Sequence, residues 1–207
     1  IRDSSYTHSI YGYQYADFEN TNYKWSEMPN YVSAYNDDIA QLLYHCGVAV
    51  NMNYSPSGSG ASGSSARTAM VNYFKYSSNA LYTSKYNYTD ENWKKLIRNE
   101  IDNGKPMYYV GYGTGGHAFN CDGYDDSDYF HFNWGWGGAY NGYFLLDDLT
   151  PGGSDFTDSQ SAVVGAVPKH LEEKFDSLSA VILTSSNPVS YTHLRAHETV
   201  LDLVCRL

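Results

Sequence analysis

Met107-Tyr108-Tyr109-Val110-Gly111-Tyr112-Gly113-Thr114-Gly115-Gly116-His117-Ala118-Phe119-Asn120-Cys121-Asp122-Gly123-Tyr124, followed by Tyr129-Phe130-His131-Phe132-Asn133-Trp134, is the stretch on which the reading of the fold turns. Met107 to Tyr112, His117 to Tyr124 and Tyr129 to Trp134 are short β-type runs bounded by Gly, Asp and Asn. Two more, Gly142 to Leu146 and Ser161 to Val167, follow in the same style. Consecutive strands joined by short turns pair antiparallel. The second half of the chain is therefore predicted to be an antiparallel sheet or partial barrel.

Upstream the period is helical. Asn36 caps a helix with Asp37 and Asp38 in its first turn, Ile39, Leu42, Leu43 and Cys46 at i, i+3, i+4 and i+7, and Gly47 as its stop. Val48, Val50 and Met52 then alternate toward Tyr54. Ser55 to Ser65 is a Gly/Ser-rich stretch, read as a surface loop within one domain rather than a linker because ordered patterns flank it closely. A second helix is expected from about Ser65 to Tyr76, with Ala66, Met70, Tyr73 and Phe74 on one side. Thr89 or Asp90 caps a third, whose stripe is Trp93, Leu96, Ile97 and Ile101, and Gly104 with Pro106 ends it. Residues 1–35 show neither period and read as mostly extended loop. The class is α+β, with the three helices expected on one side of the sheet.

Composition narrows the function. Thirteen Lys and Arg against 23 Asp and Glu give a net charge of −10, which repels a phosphate backbone, so nucleic acid is excluded as a partner. No apolar run reaches the roughly 18 to 20 residues of a spanning helix, and no membrane role is expected. Three cysteines, Cys46, Cys121 and Cys205, form neither a disulfide framework nor a CxxC pair, and no metal or cofactor is expected. Twenty-two tyrosines, 18 glycines and 17% charged residues describe strands, tight turns and a wet surface, a style common in exported proteins. The chain opens on Ile1 without a secretory signal, so an N-terminal portion is expected to be missing.

The densest chemistry lies around His117. A histidine entering a strand after Gly115 and Gly116 has no bulky neighbours before it, so a substrate backbone can approach its ring. If Asp125, Asp126 and Ser127 form a three-residue hairpin loop, Asn133 falls opposite Phe119, on His117's face and roughly 7 to 8 Å from it diagonally. An Asn carbonyl oxygen holding one imidazole nitrogen fixes the tautomer and leaves the other to exchange a proton with a nucleophile. Trp134 and Trp136, set between glycines, would shield that pair and line a cleft. His131, mid-strand among aromatics, reads as structural. No cysteine present is a credible nucleophile. Cys121 lies four residues along the same strand, roughly 13 Å away, Cys46 sits at a helix C-terminus where the dipole raises a thiol pKa, and Cys205 lies in a tail that reads as non-native.

Taken together, Val50 to Gly60, Lys105 to Tyr109, Gly115-Gly116-His117-Ala118-Phe119, Phe132-Asn133-Trp134-Gly135-Trp136-Gly137-Gly138, Gly142-Tyr143-Phe144 and Gln160 to Gly165 resemble the streptopain-type cysteine peptidases, including their interpain-like members. The resemblance runs from about Tyr15 to Pro168. It implies a papain-like fold, with residues 1–168 supplying mostly the antiparallel β lobe that carries the histidine plus part of the helical lobe. By that resemblance His117 is the general base, Asn133 its orienting partner and Trp134 the cover over their contact. Gly115 and Gly116 would border the cleft, while Ser57, Gly58, Ser59 and Trp136 would help form a subsite for a hydrophobic residue. The family's nucleophile, in a Gly-Cys-Val-Ala type helix start, and its oxyanion glutamine would both precede the matched region, and His45-Cys46-Gly47-Val48-Ala49 mimics the former only in wording. The implied enzyme is an exported cysteine endopeptidase made as a zymogen, acting on proteins or peptides. This chain is expected to be a fragment without peptidase activity.

Two other readings compete. Tyr112, Trp134, Trp136 and Tyr140 beside glycines would suit a carbohydrate-binding or adhesive β domain, though this gives His117 and Asn133 no role. His193 and His197, at i and i+4 with Glu198 and Cys205 nearby, would suit a metal. Residues 169–187 read as an extension of uncertain origin, and residues 188–207 resemble adapter-derived tails and read as non-native.

Overall fold

The computed structural model describes residues 2–171. The readings of residues 188–207 as a non-native tail and of His193 and His197 as metal ligands lie outside the described residues.

The sheet has six strands, all antiparallel, in the order β3-β8-β4-β5-β6-β7. They are β3 (Leu81–Ser84), β4 (Met107–Tyr112), β5 (Gly116–Tyr124), β6 (Phe130–Asn133), β7 (Gly142–Phe144) and β8 (Asp158–Val164). Met107, Tyr108, Tyr109 and Val110 are all buried, so β4 is covered on both faces. One face packs against α1 (Asp37–Ala49) and α2 (Gly63–Tyr73), where Leu42, Cys46, Ala66 and Met70 meet Tyr108, Val110 and Val163. The other packs against α3 (Asp90–Asp102), whose Trp93 and Ile97 meet Met107, Tyr109, Phe119, Phe130, Phe132 and Trp134. The helices therefore lie on both sides of the sheet, not on one as expected. An apolar run without alternation has two faces to bury, and one layer of helices covers only one.

The helix ends follow their caps. Asn36 Oδ1 accepts from Ile39 N at 2.9 Å and Thr89 Oγ1 from Asn92 N at 3.3 Å. Ser62 caps α2, so that helix begins at Gly63 and ends at Tyr73, ahead of the expected bounds. Helix α1 does not stop at Gly47 but runs to Ala49. Gly47 is inside it because the Tyr54 ring lies where its Cβ would be. Residues 1–35 are not mostly loop: Ser4–His8 (β1) and Gly12–Ala16 (β2) pair as an antiparallel hairpin, with Ala16, Phe18 and Val48 forming a small core behind it. Among the described residues no helix is long and apolar enough to cross a membrane.

Candidate active site

His117 stands on β5, one residue beyond a loop in which two glycines, Gly113 and Gly116, sit where a side chain would clash. A Cβ on Gly113 would meet the Asp155 backbone, and one on Gly116 would meet the Tyr112 ring at 2.7 Å. A Cβ on Gly115 would point into open space. The loop is latched to the segment before β8, with Thr114 N donating to Asp155 O at 3.0 Å and Asp155 N to Thr114 Oγ1 at 3.1 Å. Gly111 lets that same segment close onto β4, since a Cβ there would run into the Phe156 backbone. Phe156 is thereby brought to His117, ring centroids 5.1 Å apart.

The register differs from the expected one. Tyr124 pairs with Phe130 and Gly123 with His131, but Cys121 pairs with Phe132 and Asn120 with Asn133. Asp122 is an extra residue in β5, and residues 125–129 make the connection, closed by Asp125 N donating to Tyr129 O at 2.9 Å. Asn133 thus sits opposite Asn120 instead of Phe119. By strand alternation it lies on the face away from His117, whereas Trp134 lies on His117's face.

The group that holds the imidazole is correspondingly different. His117 Nε2 is 2.9 Å from the Trp134 carbonyl oxygen. A carbonyl only accepts, so Nε2 carries the proton and Nδ1 keeps its lone pair. Nδ1 has no hydrogen-bond partner among the described residues. Asn133 Oδ1 instead accepts from Gly135 N at 3.0 Å, two residues on in its own chain. Burial pushes the His117 pKa below its ordinary value, partly offset by the bond to the carbonyl, so the ring is neutral near pH 7.

The aromatic roles also change places. Trp134 is fully buried against Phe119 (centroids 4.4 Å), Phe132 and Phe144, with its indole N–H lacking a partner among the described residues. It packs under the site and cannot stack on a sugar. Trp136 lies flat on the imidazole, centroids 5.0 Å apart and planes 24° apart, with Tyr140 edge-on to the indole. When the ring is protonated, an indole face at that distance stabilises the charge.

Ser57, Gly58 and Ser59 belong to a separate turn, closed by Gly58 N donating to Ser55 O and by the Asn53–Gly60 bridge. Ser59 lines an open cavity of about 480 Å³ with Tyr11, Gln14, Tyr44, Tyr54, Ser55 and Pro56. No hydrogen bond or ring contact joins that cavity's lining to His117 among the described residues. His131, expected to be structural, makes a specific pair: its Nδ1 is 2.5 Å from Asp122 Oδ1 on the bulge. Cys46 and Cys121 are fully buried, and burial pushes both thiols well above their ordinary pKa. Sequence reasoning missed Phe156, which only the sheet closure brings near, and Asn141, whose Oδ1 accepts from Trp134 N at 3.0 Å.

A histidine on an antiparallel sheet, fixed through one nitrogen and open at the other, backed by helices on both faces, is the arrangement of the papain-like cysteine peptidases. The match is specific at the level of sequence: residues 2–144 fit the pattern of the Peptidase C10 family, and the chain belongs to it. Streptopain of Streptococcus pyogenes is 34% identical over 167 residues, which are 74% of this chain and 42% of streptopain. The thiol protease/hemagglutinin PrtT of Porphyromonas gingivalis is 32% identical over 179 residues, 80% of this chain and 20% of that protein. The chain thus spans less than half the length of the curated relatives it matches. Among solved structures, active interpain A of Prevotella intermedia superposes with a TM-score of 0.72 at 34% identity, covering 80% of this chain and 74% of that one. A prointerpain A fragment gives 0.70 at 35% identity, covering 80% and 56%.

Proposed function

We propose that this chain is the base-bearing part of an exported cysteine endopeptidase, with His117 as the general base. One observation carries the reading: His117 gives Nε2 to a carbonyl that cannot donate and keeps Nδ1 as a free base beneath Trp136. In the proposed reaction a thiol passes its proton to Nδ1, and the thiolate attacks a peptide carbonyl carbon. The imidazolium then protonates the departing amine as the C–N bond breaks. Water, deprotonated by the same nitrogen, hydrolyses the thioester and restores the thiol. Trp136 supports the charged ring between these steps. Gly115, which offers open space beside the histidine, and Gly116 border the cleft, and Ser57, Gly58, Ser59 and Trp136 contribute to substrate binding. In this reading Asn133 acts on the imidazole indirectly, its Oδ1 holding the Gly135 amide and not the ring itself. Cys46 and Cys121 are not the nucleophile, since neither thiol is exposed or ionised; the sulfur belongs outside the described residues.

Two measurements test this. In protein that cleaves a peptide substrate and is blocked by iodoacetamide, His117→Ala lowers kcat by at least about 10²-fold, the usual contribution of a positioned proton carrier. Retained turnover would overturn the assignment. The 207-residue chain alone is expected not to cleave the same peptide, and iodoacetamide-sensitive turnover by it would return the nucleophile to Cys46, Cys121 or Cys205.

A further inference from the structure

The carbonyl that holds His117 belongs to a residue whose backbone is gripped on both sides. Trp134 is the first residue past β6, and the β6–β7 ladder has already ended at Phe132 opposite Gly142. Its N–H has no strand partner and donates to the side chain of Asn141, the last residue before β7, at 3.0 Å. The next amide, Gly135 N–H, donates to Asn133 Oδ1 at 3.0 Å. Each peptide unit is planar. Asn141 therefore fixes the 133–134 plane and Asn133 the 134–135 plane, and the latter contains the carbonyl that meets His117. Two fixed planes about one Cα leave that carbonyl a single direction.

We infer that Asn141 is a positioning residue for His117, acting through the Trp134 backbone to hold the imidazole in its Nε2–H tautomer with Nδ1 free. The inference rests on His117 being the proposed base. Trp134 is 0% exposed, so while Asn141 is in place its N–H is held in one direction by that side chain and not by exchanging water. Without that fixed acceptor the plane is free to rotate, carrying the carbonyl with it. Asn141 itself is on the surface, and its oxygen reaches the buried amide from the turn formed by Gly135, Gly137, Gly138 and Tyr140, all at positive φ. That surface position separates its role from packing, because no core contact depends on the side chain.

The test is the imidazole ¹⁵N spectrum of the 207-residue chain at a pH where His117 is neutral. In the wild type His117 is the Nε2–H tautomer. Asn141→Ala shifts the Nε2–H to Nδ1–H ratio about tenfold toward Nδ1–H, the worth of roughly one neutral hydrogen bond. Asn141→Asp, which keeps the acceptor oxygen, restores the wild-type signal. Asn141→Ser, too short to reach, behaves as the Ala variant and serves where that one folds poorly. An unchanged tautomer in a folded Ala or Ser variant would overturn the inference while leaving His117 as base. Loss of tertiary structure in both would overturn it too, by making Asn141 a general requirement for folding. A wild-type ring found as Nδ1–H would instead remove the proposed base, and the inference with it.

Discussion

The two histidines on neighbouring strands are tuned in opposite senses, and each sense has a pH signature. Asp122 accepts from His131 and raises its pKa above the ordinary value near 6.5, with burial acting the other way. The protonated pair contributes stability that is complete below about pH 6.5 and is lost as the pH rises through the folded-state value. His117, whose pKa burial lowers, does the reverse: its contribution is complete above about pH 6.5 and is lost as the pH falls through its folded-state value. Histidine proton shifts followed by NMR should show His131 titrating above 6.5 and His117 below it. Asp122→Asn should move His131 down toward the ordinary value and leave His117 in place. A His131 titration that ignores the substitution would mean the pair does not carry the shift. Nothing in the sequence marks this pair, because the bulge that sets Asp122 beside His131 is a property of the hairpin.

At the level of single elements, local signals served well wherever the cap or period was complete. Strand β4 and the Thr89 start of α3 were legible, since an uninterrupted apolar run and an N-cap followed by two acids each admit few alternatives. Thr89→Ala should cost about 1 kcal/mol in urea unfolding, the usual worth of an N-cap, and a loss near zero would show that tertiary packing alone holds the helix. The hairpin of β1 and β2 was not legible, because Tyr13 and Tyr15 are exposed where alternation would have placed apolar residues inside. Gly47 read as a stop for want of any view of Tyr54, which arrives from outside the helix. The candidate site shows the same limit more sharply. His117 and its glycines could be named from sequence, but the partner of the imidazole depended on one bulge residue, and that bulge exchanged the Asn133 amide for the Trp134 carbonyl.

For the molecule as a whole, the site depends on closure between parts distant in sequence. Gly111 is where β4 shifts register against β8 and where the Phe156 backbone comes closest. Gly111→Ala should therefore cost more than the roughly 0.5 to 1 kcal/mol change usual for a Gly to Ala exchange, and in the destabilising direction, because backbone and not a flexible side chain must yield. Urea unfolding reads the loss, and quenching of Trp136 fluorescence reads any displacement of the aromatic wall around His117. Unchanged stability would mean the 154–157 segment can shift without cost. The ties run further: Ser77 N donates to Val167 O at 2.8 Å and Lys169 N to Lys75 O at 2.8 Å, sewing the end of the last strand to the end of α2.

The two margins of the six-stranded sheet are short strands, Leu81–Ser84 on one side and Gly142–Phe144 on the other. A neighbouring molecule that tried to extend the sheet would find only three or four residues to pair with, too brief a template for fibrous growth. A chain so rich in exposed tyrosine thus offers little open backbone at the margins of this sheet.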